Sequence, residues 1–197
     1  MYNAAVWLDR VKKEYGDNLS ITWKNFSLEQ VNSKNGPGWK VWEQPDDYAS
    51  RGLPAMRAGE AARKQGQEPF ERFHMALLIA RHGGERRNIA DPDVLVELAA
   101  SAGLDVKRFK ADLADRKLLN NVARDHTEAV EKHGVFGTPT FVFENGGSGY
   151  LKMFIPPEED DIPLFDAFVK TVKGRLYFGE LKRPQPPWPK GIFTSTE

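Results

Sequence analysis

Apolar residues recur at helical spacing from the start of the chain and then change to strict alternation. The helical positions are Ala4, Trp7, Leu8, Val11 and Tyr15. Gly16 stands where such a helix would end. Leu19, Ile21 and Trp23 then alternate with polar residues, which is typical of a strand with one buried face. The pattern therefore predicts a helix followed by a strand.

A long connection and a block of helices follow. Residues 26–52 show no apolar periodicity and are predicted to form a loop, which at this length usually has a role or lies against another element. Helical patterns then run from about residue 53 to residue 133. Asp91 and Asp105 are placed to cap two of these helices. We therefore predict a helical block in the middle of the chain.

After Gly134 the pattern changes back to that of strands. TFVF, residues 140–143, is predicted to be a strand, with a hairpin loop at 144–149 and an antiparallel partner at 150–155. An amphipathic helix is predicted to begin at Asp160 or Asp161. Its inward face would carry Phe165, Phe168, Val169, Val172 and Leu176. The proline-rich residues 181–197 are predicted to form a tail.

Composition restricts the class of protein. Of the 197 residues, 40% are hydrophobic and 28% are charged, as in ordinary soluble globular proteins. The 28 basic residues balance 28 acidic ones, so no overall field attracts nucleic acid or an anionic membrane. No apolar run reaches the roughly 18 residues of a membrane span, and the N-terminal residues lack the pattern of a secretory signal. We expect a cytoplasmic protein that binds neither nucleic acid nor membrane.

The chain contains no cysteine, which excludes disulfides and thiolate nucleophiles within these residues. No metal site is expected, because His126 and His133 are two helical turns apart and no recognised metal-ligand spacing is present. His126 is interpreted as a core-facing, hydrogen-bonded histidine. The acidic run at 158–161 is interpreted as a helix start and not as a catalytic carboxylate pair. Three aromatic residues in the long loop are interpreted as a satellite core, with an apolar substrate cleft as the alternative: Trp39, Trp42 and Tyr48.

The order of these elements, together with the segment GVFGTPTFVF at 134–143, resembles the DsbA family of thioredoxin-fold disulfide oxidoreductases. The likeness runs over nearly the whole chain. It implies an α/β thioredoxin-like fold with an inserted helical domain and with the first strand missing. The thioredoxin-like domain would comprise residues 1–43 and 134–180, the helical insertion residues 44–133, and the tail residues 181–197.

The resemblance also implies a site. Pro139 would be the family's cis-proline, and Thr138 the residue whose backbone faces the active site. Gly137, Met1 and Tyr2 would complete a substrate-binding region. The family carries a Cys-Pro-x-Cys type motif at the start of its first helix, where the helix N-terminus lowers the pKa of a thiol. This chain has no such motif, so no catalytic residue is assigned.

The family's missing first strand would lie between residues 19–23 and the strand at Thr140. Without it, buried backbone groups on two inner edges would lack partners. We therefore expect either that the natural polypeptide is longer at its N-terminus or that another segment fills the gap. That segment would come from the loop at 27–52 or from a second chain, which makes a homodimer compatible with the sequence.

Three functions remain open. The intact protein would be a disulfide oxidoreductase if it carried a cysteine upstream, with a thiol or disulfide substrate. It would otherwise be related to the glutathione-binding kappa-class transferases and 2-hydroxychromene-2-carboxylate isomerases, in which a serine replaces the cysteine. The third function is a non-catalytic module that holds extended peptides at Thr138 and Pro139. No cofactor other than glutathione is expected.

Overall fold

The computed structural model describes residues 1–182, which group into two compact units. One unit is formed by Met1–Thr22 together with the residues from Gly137 onward, and the other by Trp23–Phe136. Residues 23–43 and 134–136, which the sequence assigned to the thioredoxin-like domain, group here with the helical unit. The predicted tail from residue 183 onward lies outside the described residues. That the helical block is an insertion in a thioredoxin-like domain stays a prediction.

The described residues form helices and one hairpin. The helices are α1 (Tyr2–Tyr15), α2 (Leu28–Val31), α3 (Leu53–Arg63), α4 (Gln67–His82), α5 (Pro92–Ser101), α6 (Val106–Ala114), α7 (Leu119–His133) and α8 (Asp161–Val172). The strands are β1 (Thr140–Val142) and β2 (Ser148–Tyr150). Short 3-10 turns lie at Gly16–Asn18, Val41–Glu43, Arg116–Leu118 and Glu158–Asp160.

In the first unit, α1 and α8 form an aromatic core with the hairpin. Trp7 is fully buried, and its ring meets Phe165 edge-on with 5.8 Å between centroids. Phe168 contacts Phe141 of β1 at 4.8 Å, also edge-on. These geometries are the ones that aromatic pairs prefer. The apolar stripes predicted for the first and last helices therefore do face the core.

The hairpin is shorter than the sequence predicted and lies earlier in the chain. β1 pairs antiparallel with β2, with Phe141 opposite Gly149. The expectation of a partner strand at 150–155 was wrong, because β2 ends at Tyr150. Gly147 and Gly149 let the end of α8 approach β2 closely, because an added Cβ at either position would come within 3 Å of Val172.

The last helix also ends earlier than predicted. α8 ends at Val172, and Leu176 is 67% exposed, so its predicted inward position was wrong. In the helical unit, by contrast, the predicted capping residues are confirmed. Asp91 accepts a hydrogen bond from the backbone N–H of Asp93, and Asp105 accepts one from that of Arg108.

The strand predicted at Leu19–Trp23 is not formed. Leu19, Ile21 and Trp23 are half-buried and the residues between them exposed, as the alternation requires, but no ladder pairs with them. Among residues 1–182 the sheet has two strands, β1 and β2. The loop at 27–52 supplies no third strand either, since it forms α2 and a 3-10 turn. That candidate for the missing strand was therefore wrong.

The core of the helical unit is built around α3. Four alanines of this helix are almost fully buried: Ala55, Ala58, Ala61 and Ala62. Such small side chains let α4 and α6 pack closely, and these helices contribute Phe73 and Phe109, whose ring centroids are 5.4 Å apart. None of the described helices is both long and apolar enough to cross a membrane.

Candidate functional site

The loop before β1 carries the chain's most specific sequence signal. The peptide bond between Thr138 and Pro139 is cis, as the resemblance implied. Pro139 accepts a hydrogen bond at its carbonyl from the backbone N–H of Leu151, 3.1 Å away. This bond continues the β1–β2 ladder by one pair. Proline is tolerated here because Pro139 directly precedes β1, so its missing N–H falls at the end of the ladder.

Gly137 packs the loop against the hairpin. An added Cβ at this position would come 3.2 Å from the Tyr150 ring, so a larger residue would push the loop away from β2. The Gly137 carbonyl accepts a hydrogen bond of 2.7 Å from the Thr140 hydroxyl. The loop is thus closed by a side chain of the strand that follows it.

Thr138 lies between these two fixed points and is half-buried. Among residues 1–182, neither its backbone N–H nor its carbonyl has a hydrogen-bond partner. Backbone groups in this state bind water or a ligand, because leaving them buried and unpaired is costly. The residue that the sequence singled out therefore presents a free donor and a free acceptor.

The first turn of α1 is hydrogen-bonded to the segment that follows the hairpin. The side-chain amide of Asn3 donates to the Met153 carbonyl at 3.0 Å, and the Met153 segment follows Leu151, the partner of Pro139. Met1 is 46% exposed, and its carbonyl accepts the N–H of Ala5. Tyr2 is half-buried at the start of α1. A substrate-binding role for these residues and for the loop stays a prediction.

The chemistry that this region offers is that of the backbone. Residues 137–143 contain no charged side chain, and the chain has no thiol. The side chains that could react are the hydroxyls of Thr138 and Thr140, and that of Thr140 donates to the Gly137 carbonyl. In residues 1–182 no three acidic or imidazole side chains are grouped as metal ligands would be. The arrangement can therefore hold an extended chain through main-chain hydrogen bonds.

The helical unit contains a buried polar network that the sequence did not reveal. Asn25 donates from its side-chain amide to Glu60 at 2.8 Å and to Asp125 at 3.2 Å, and both carboxylates are 4% exposed. Asn121 donates to the other Glu60 oxygen at 3.0 Å. The partners are far apart in sequence, so no local pattern could have indicated the network.

His126 lies beside this network and is core-facing, as predicted. It is 5% exposed, and its Nδ1 accepts a hydrogen bond from the backbone N–H of Ser27 at 3.1 Å. Burial, followed by the positive charge of Lys40, lowers the pKa of His126 below its ordinary value. Its ring contacts Trp42, whose indole centroid is 5.2 Å away. Trp42 therefore packs on the helical unit, in line with the satellite-core interpretation.

Comparison with known families gives a match over most of the chain. The profile of the DSBA-like thioredoxin domain matches residues 2–160. This range contains α1, the helical unit, the Gly137–Pro139 loop and the hairpin.

Curated relatives match more distantly. The ClpXP adapter protein SpxH of Bacillus subtilis is 27% identical over 135 residues, which are 68% of this chain and 43% of that protein. SpxH of Halalkalibacterium halodurans is 33% identical over 105 residues, or 53% of this chain and 33% of that protein. The Na(+)/H(+) antiporter NhaA of Herminiimonas arsenicoxydans is 38% identical over 104 residues, or 49% of this chain and 15% of that protein. The match thus spans less than half of each relative.

Proposed function

Because the chain belongs to the DSBA-like thioredoxin-domain family, we propose that it uses the family's substrate loop to hold an extended polypeptide and carries out no thiol exchange with residues of its own. The observation that carries this proposal is the unpaired backbone of Thr138 between Gly137 and Pro139. A free N–H and a free carbonyl on one residue are the groups that pair with a peptide main chain.

The absence of cysteine sets the limit on chemistry. Thiol–disulfide exchange requires attack by a thiolate, and these 197 residues contain none. The region is therefore redox-inactive on its own. Exchange would require a cysteine from outside this sequence. An intact mass of the natural polypeptide larger than that of these 197 residues would show that further sequence exists to carry one.

The names of two relatives agree with a binding role. Both SpxH proteins are called ClpXP adapters, and an adapter acts by contact with other proteins. We propose that the partner of this chain is likewise a polypeptide, bound in the cytoplasm.

A binding assay tests the proposal. The probe is reduced, carboxymethylated α-lactalbumin, an unfolded polypeptide without free thiols, labelled with a fluorophore and followed by anisotropy. We expect saturable binding by the wild-type chain. Thr138→Glu should weaken it about tenfold, because a charged side chain beside the free backbone groups obstructs an incoming chain and loses about 1.4 kcal/mol. The matched control is Thr22→Glu, at an exposed threonine of the same unit. Equal loss in both variants, or no binding by the wild type, would refute the proposal.

Glutathione is the second candidate ligand, because it is an extended tripeptide whose main chain could pair with the same Thr138 groups. Such binding would place the chain with the kappa-class transferases and 2-hydroxychromene-2-carboxylate isomerases. Calorimetry with S-methylglutathione, which cannot react as a thiol, separates the two candidates. Glutathione as the natural ligand predicts saturation by this compound and displacement of the unfolded polypeptide. If the titration shows only the heat of dilution, glutathione is excluded as the ligand.

A further inference from the structure

Two Asn-Gly pairs occur in the chain, Asn35–Gly36 in the long loop and Asn145–Gly146 in the hairpin. In such a pair the backbone nitrogen of the glycine can attack the side-chain carbonyl carbon of the asparagine, because glycine has no Cβ to obstruct the approach. Asparagine is among the residues that degrade on heating. The sequence therefore allows the same reaction at both pairs, and the surrounding structure decides where it can occur.

The two pairs have the same exposure and the same backbone conformation. All four residues are exposed. Gly36 has a φ of 87° and Gly146 a φ of 85°. An added Cβ at either glycine would meet nothing within 4 Å. Neither solvent access nor local crowding therefore distinguishes one pair from the other.

Hydrogen bonds hold the groups that would react at Asn145. Its side-chain nitrogen donates to the Lys173 carbonyl at 2.7 Å, and its side-chain oxygen accepts the N–H of Gly147 at 3.1 Å. The N–H of Gly146, which would be the attacking group, donates to the Phe143 carbonyl at 2.9 Å. The Asn145 side chain can turn toward this nitrogen only after these bonds break, so the reaction requires local opening of the fold.

Asn35 has none of these restraints. Among residues 1–182 its side-chain amide has no hydrogen-bond partner, and the N–H of Gly36 has none either. The backbone N–H of Asn35 donates to the Ser33 hydroxyl, 3.2 Å away, which leaves the side chain free to rotate. The reacting groups of this pair can therefore meet without any opening of the fold.

The chain on either side of this exposed tip, residues 34–38, is anchored to one side chain. Gln30 of α2 donates from Nε2 to the Trp39 carbonyl at 2.9 Å, and its Oε1 accepts the N–H of Val41 at 2.8 Å. These residues and the tip all belong to the helical unit. A chemical change within the tip is therefore separated from the core of that unit by a fixed point.

We propose that Asn35 is a site of spontaneous deamidation, at which the chain acquires isoaspartate, with the structural change confined to the tip. The Gly36 nitrogen bonds to the side-chain carbonyl carbon of Asn35, the carbon–nitrogen bond of the side-chain amide breaks, and ammonia leaves with the proton of the Gly36 N–H. Water then opens the cyclic imide to aspartate or to isoaspartate, in which the backbone runs through the former side-chain carbonyl. The net reaction consumes one water, releases one ammonia and adds a negative charge beside Lys34. The proposal is independent of the proposed function.

Ageing of the full, folded chain in mildly alkaline buffer tests the proposal. Peptic digestion at low pH stops the reaction, and mass spectrometry then follows the two Asn-Gly peptides. We expect the Asn35 peptide to convert to two acidic isomers, which electron-transfer fragmentation identifies as isoaspartate and aspartate. The Asn145 peptide should convert at least about tenfold more slowly, because three hydrogen bonds must break first. Equal rates at the two sites, or no conversion at Asn35, would overturn the proposal.

The same chain in concentrated urea is the matched control. Unfolding removes the hydrogen bonds at Asn145, so the rates at the two sites should agree within about threefold in the denatured ensemble. If the difference between the sites were as large as in the folded protein, the neighbouring sequence would be its cause and the structural explanation would be overturned.

A variant and a stability measurement complete the test. Asn35→Gln would need a larger ring for the same attack, so conversion at this position should stop. The converted wild type should unfold at the same urea concentration as fresh protein and as Asn35→Gln, because the Gln30 anchor separates the tip from the core. Unfolding of the converted protein at a lower urea concentration would show that the change spreads beyond residues 34–38 and would overturn the proposed confinement.

Discussion

The indole N–H of Trp7 donates a hydrogen bond to the backbone carbonyl of Asp161, 3.0 Å away. Trp7 lies in the middle of α1 and Asp161 is the first residue of α8, so the bond joins two helices that are 154 positions apart in sequence. A buried indole N–H must find an acceptor, and this one is a carbonyl that a side-chain mutation cannot remove. The bond therefore fixes the position of one helix along the other.

Trp7→Phe should lower the free energy of unfolding by about 1 to 3 kcal/mol. The change removes the hydrogen bond and leaves part of the indole volume empty in a fully buried position. Urea unfolding followed by circular dichroism measures the loss. The matched control is Trp39→Phe, at a half-buried position in the long loop, which should cost clearly less. Equal losses in the free energy of unfolding for the two variants would show that the Trp7 hydrogen bond adds no stability.

Arg10→Met should destabilise the protein by leaving a buried carboxylate without its cation. The Arg10 guanidinium lies 3.4 Å from Asp161, whose side chain is 6% exposed, and it also donates to the Pro156 carbonyl. One oxygen of Asp161 already lacks a hydrogen-bond partner within the described part of the chain. We expect a loss of about 1 to 3 kcal/mol in urea unfolding, because an unpaired buried charge is costly.

Two further variants test that explanation. Adding Asp161→Asn to Arg10→Met removes the unpaired charge and should restore part of the lost stability. Lys13→Met breaks an exposed pair with Asp9, where both side chains are more than 45% exposed, and should cost less than about 0.5 kcal/mol. If the double variant were less stable than Arg10→Met alone, the buried charge would not be the cause.

The elements that could be predicted are those set by local signals. The helix from Tyr2 to Tyr15 follows from apolar spacing and Gly16, and the cis-proline loop follows from the segment around Thr138 and Pro139. The strand at Leu19–Trp23 was predicted from the same kind of pattern and is absent. The alternation predicts which side chains are buried, and the structure shows this alternating burial. A ladder also needs a neighbouring strand, which no property of these five residues can supply.

The polar contacts of the helical unit could not be predicted for a different reason. In the sequence, Asn25 has the features of an ordinary loop residue. Its carboxylate partners, Glu60 and Asp125, lie 35 and 100 positions away. Burial of Glu60 and Asp125 contradicts the usual exposure of these residue types and becomes favourable only when the donors converge. His126 was predicted correctly because it lies on an apolar helical stripe, where a hydrogen-bonded core position is the ordinary outcome.

Asn25→Ala should destabilise the helical unit by about 1 to 3 kcal/mol. It removes donors from Glu60 and Asp125, which are both buried, and leaves their oxygens partly unpaired. Thermal unfolding by calorimetry measures the effect. The matched control is Asn35→Ala, at an exposed loop asparagine, which should change stability by less than about 0.5 kcal/mol. A loss as small as that of the control would mean that water replaces Asn25 at no cost.

His74 should make stability depend on pH. The centroid of its ring lies 4.6 Å from that of Trp23 and 5.6 Å from that of Phe70. Its Nε2 is buried without a hydrogen-bond partner among residues 1–182. Burial, followed by the charge of Arg63, lowers the pKa of His74 from 6.5 to about 4, although Glu71 acts in the opposite direction. The folded state therefore keeps a neutral imidazole at pH values where the unfolded state binds a proton.

The sign of the pH dependence follows from this difference. Below pH 6.5 the unfolded state takes up a proton that the folded state rejects, so the free energy of unfolding falls between about pH 6.5 and pH 4. The shift corresponds to a loss of roughly 3 kcal/mol over that range. In His74→Phe this fall in the free energy of unfolding should disappear. His133→Gln, a change at the last residue of α7, should leave the fall unchanged. Urea unfolding from pH 7 to pH 4 measures both curves. Parallel curves for the wild type and His74→Phe would show that His74 is protonated normally in the folded state.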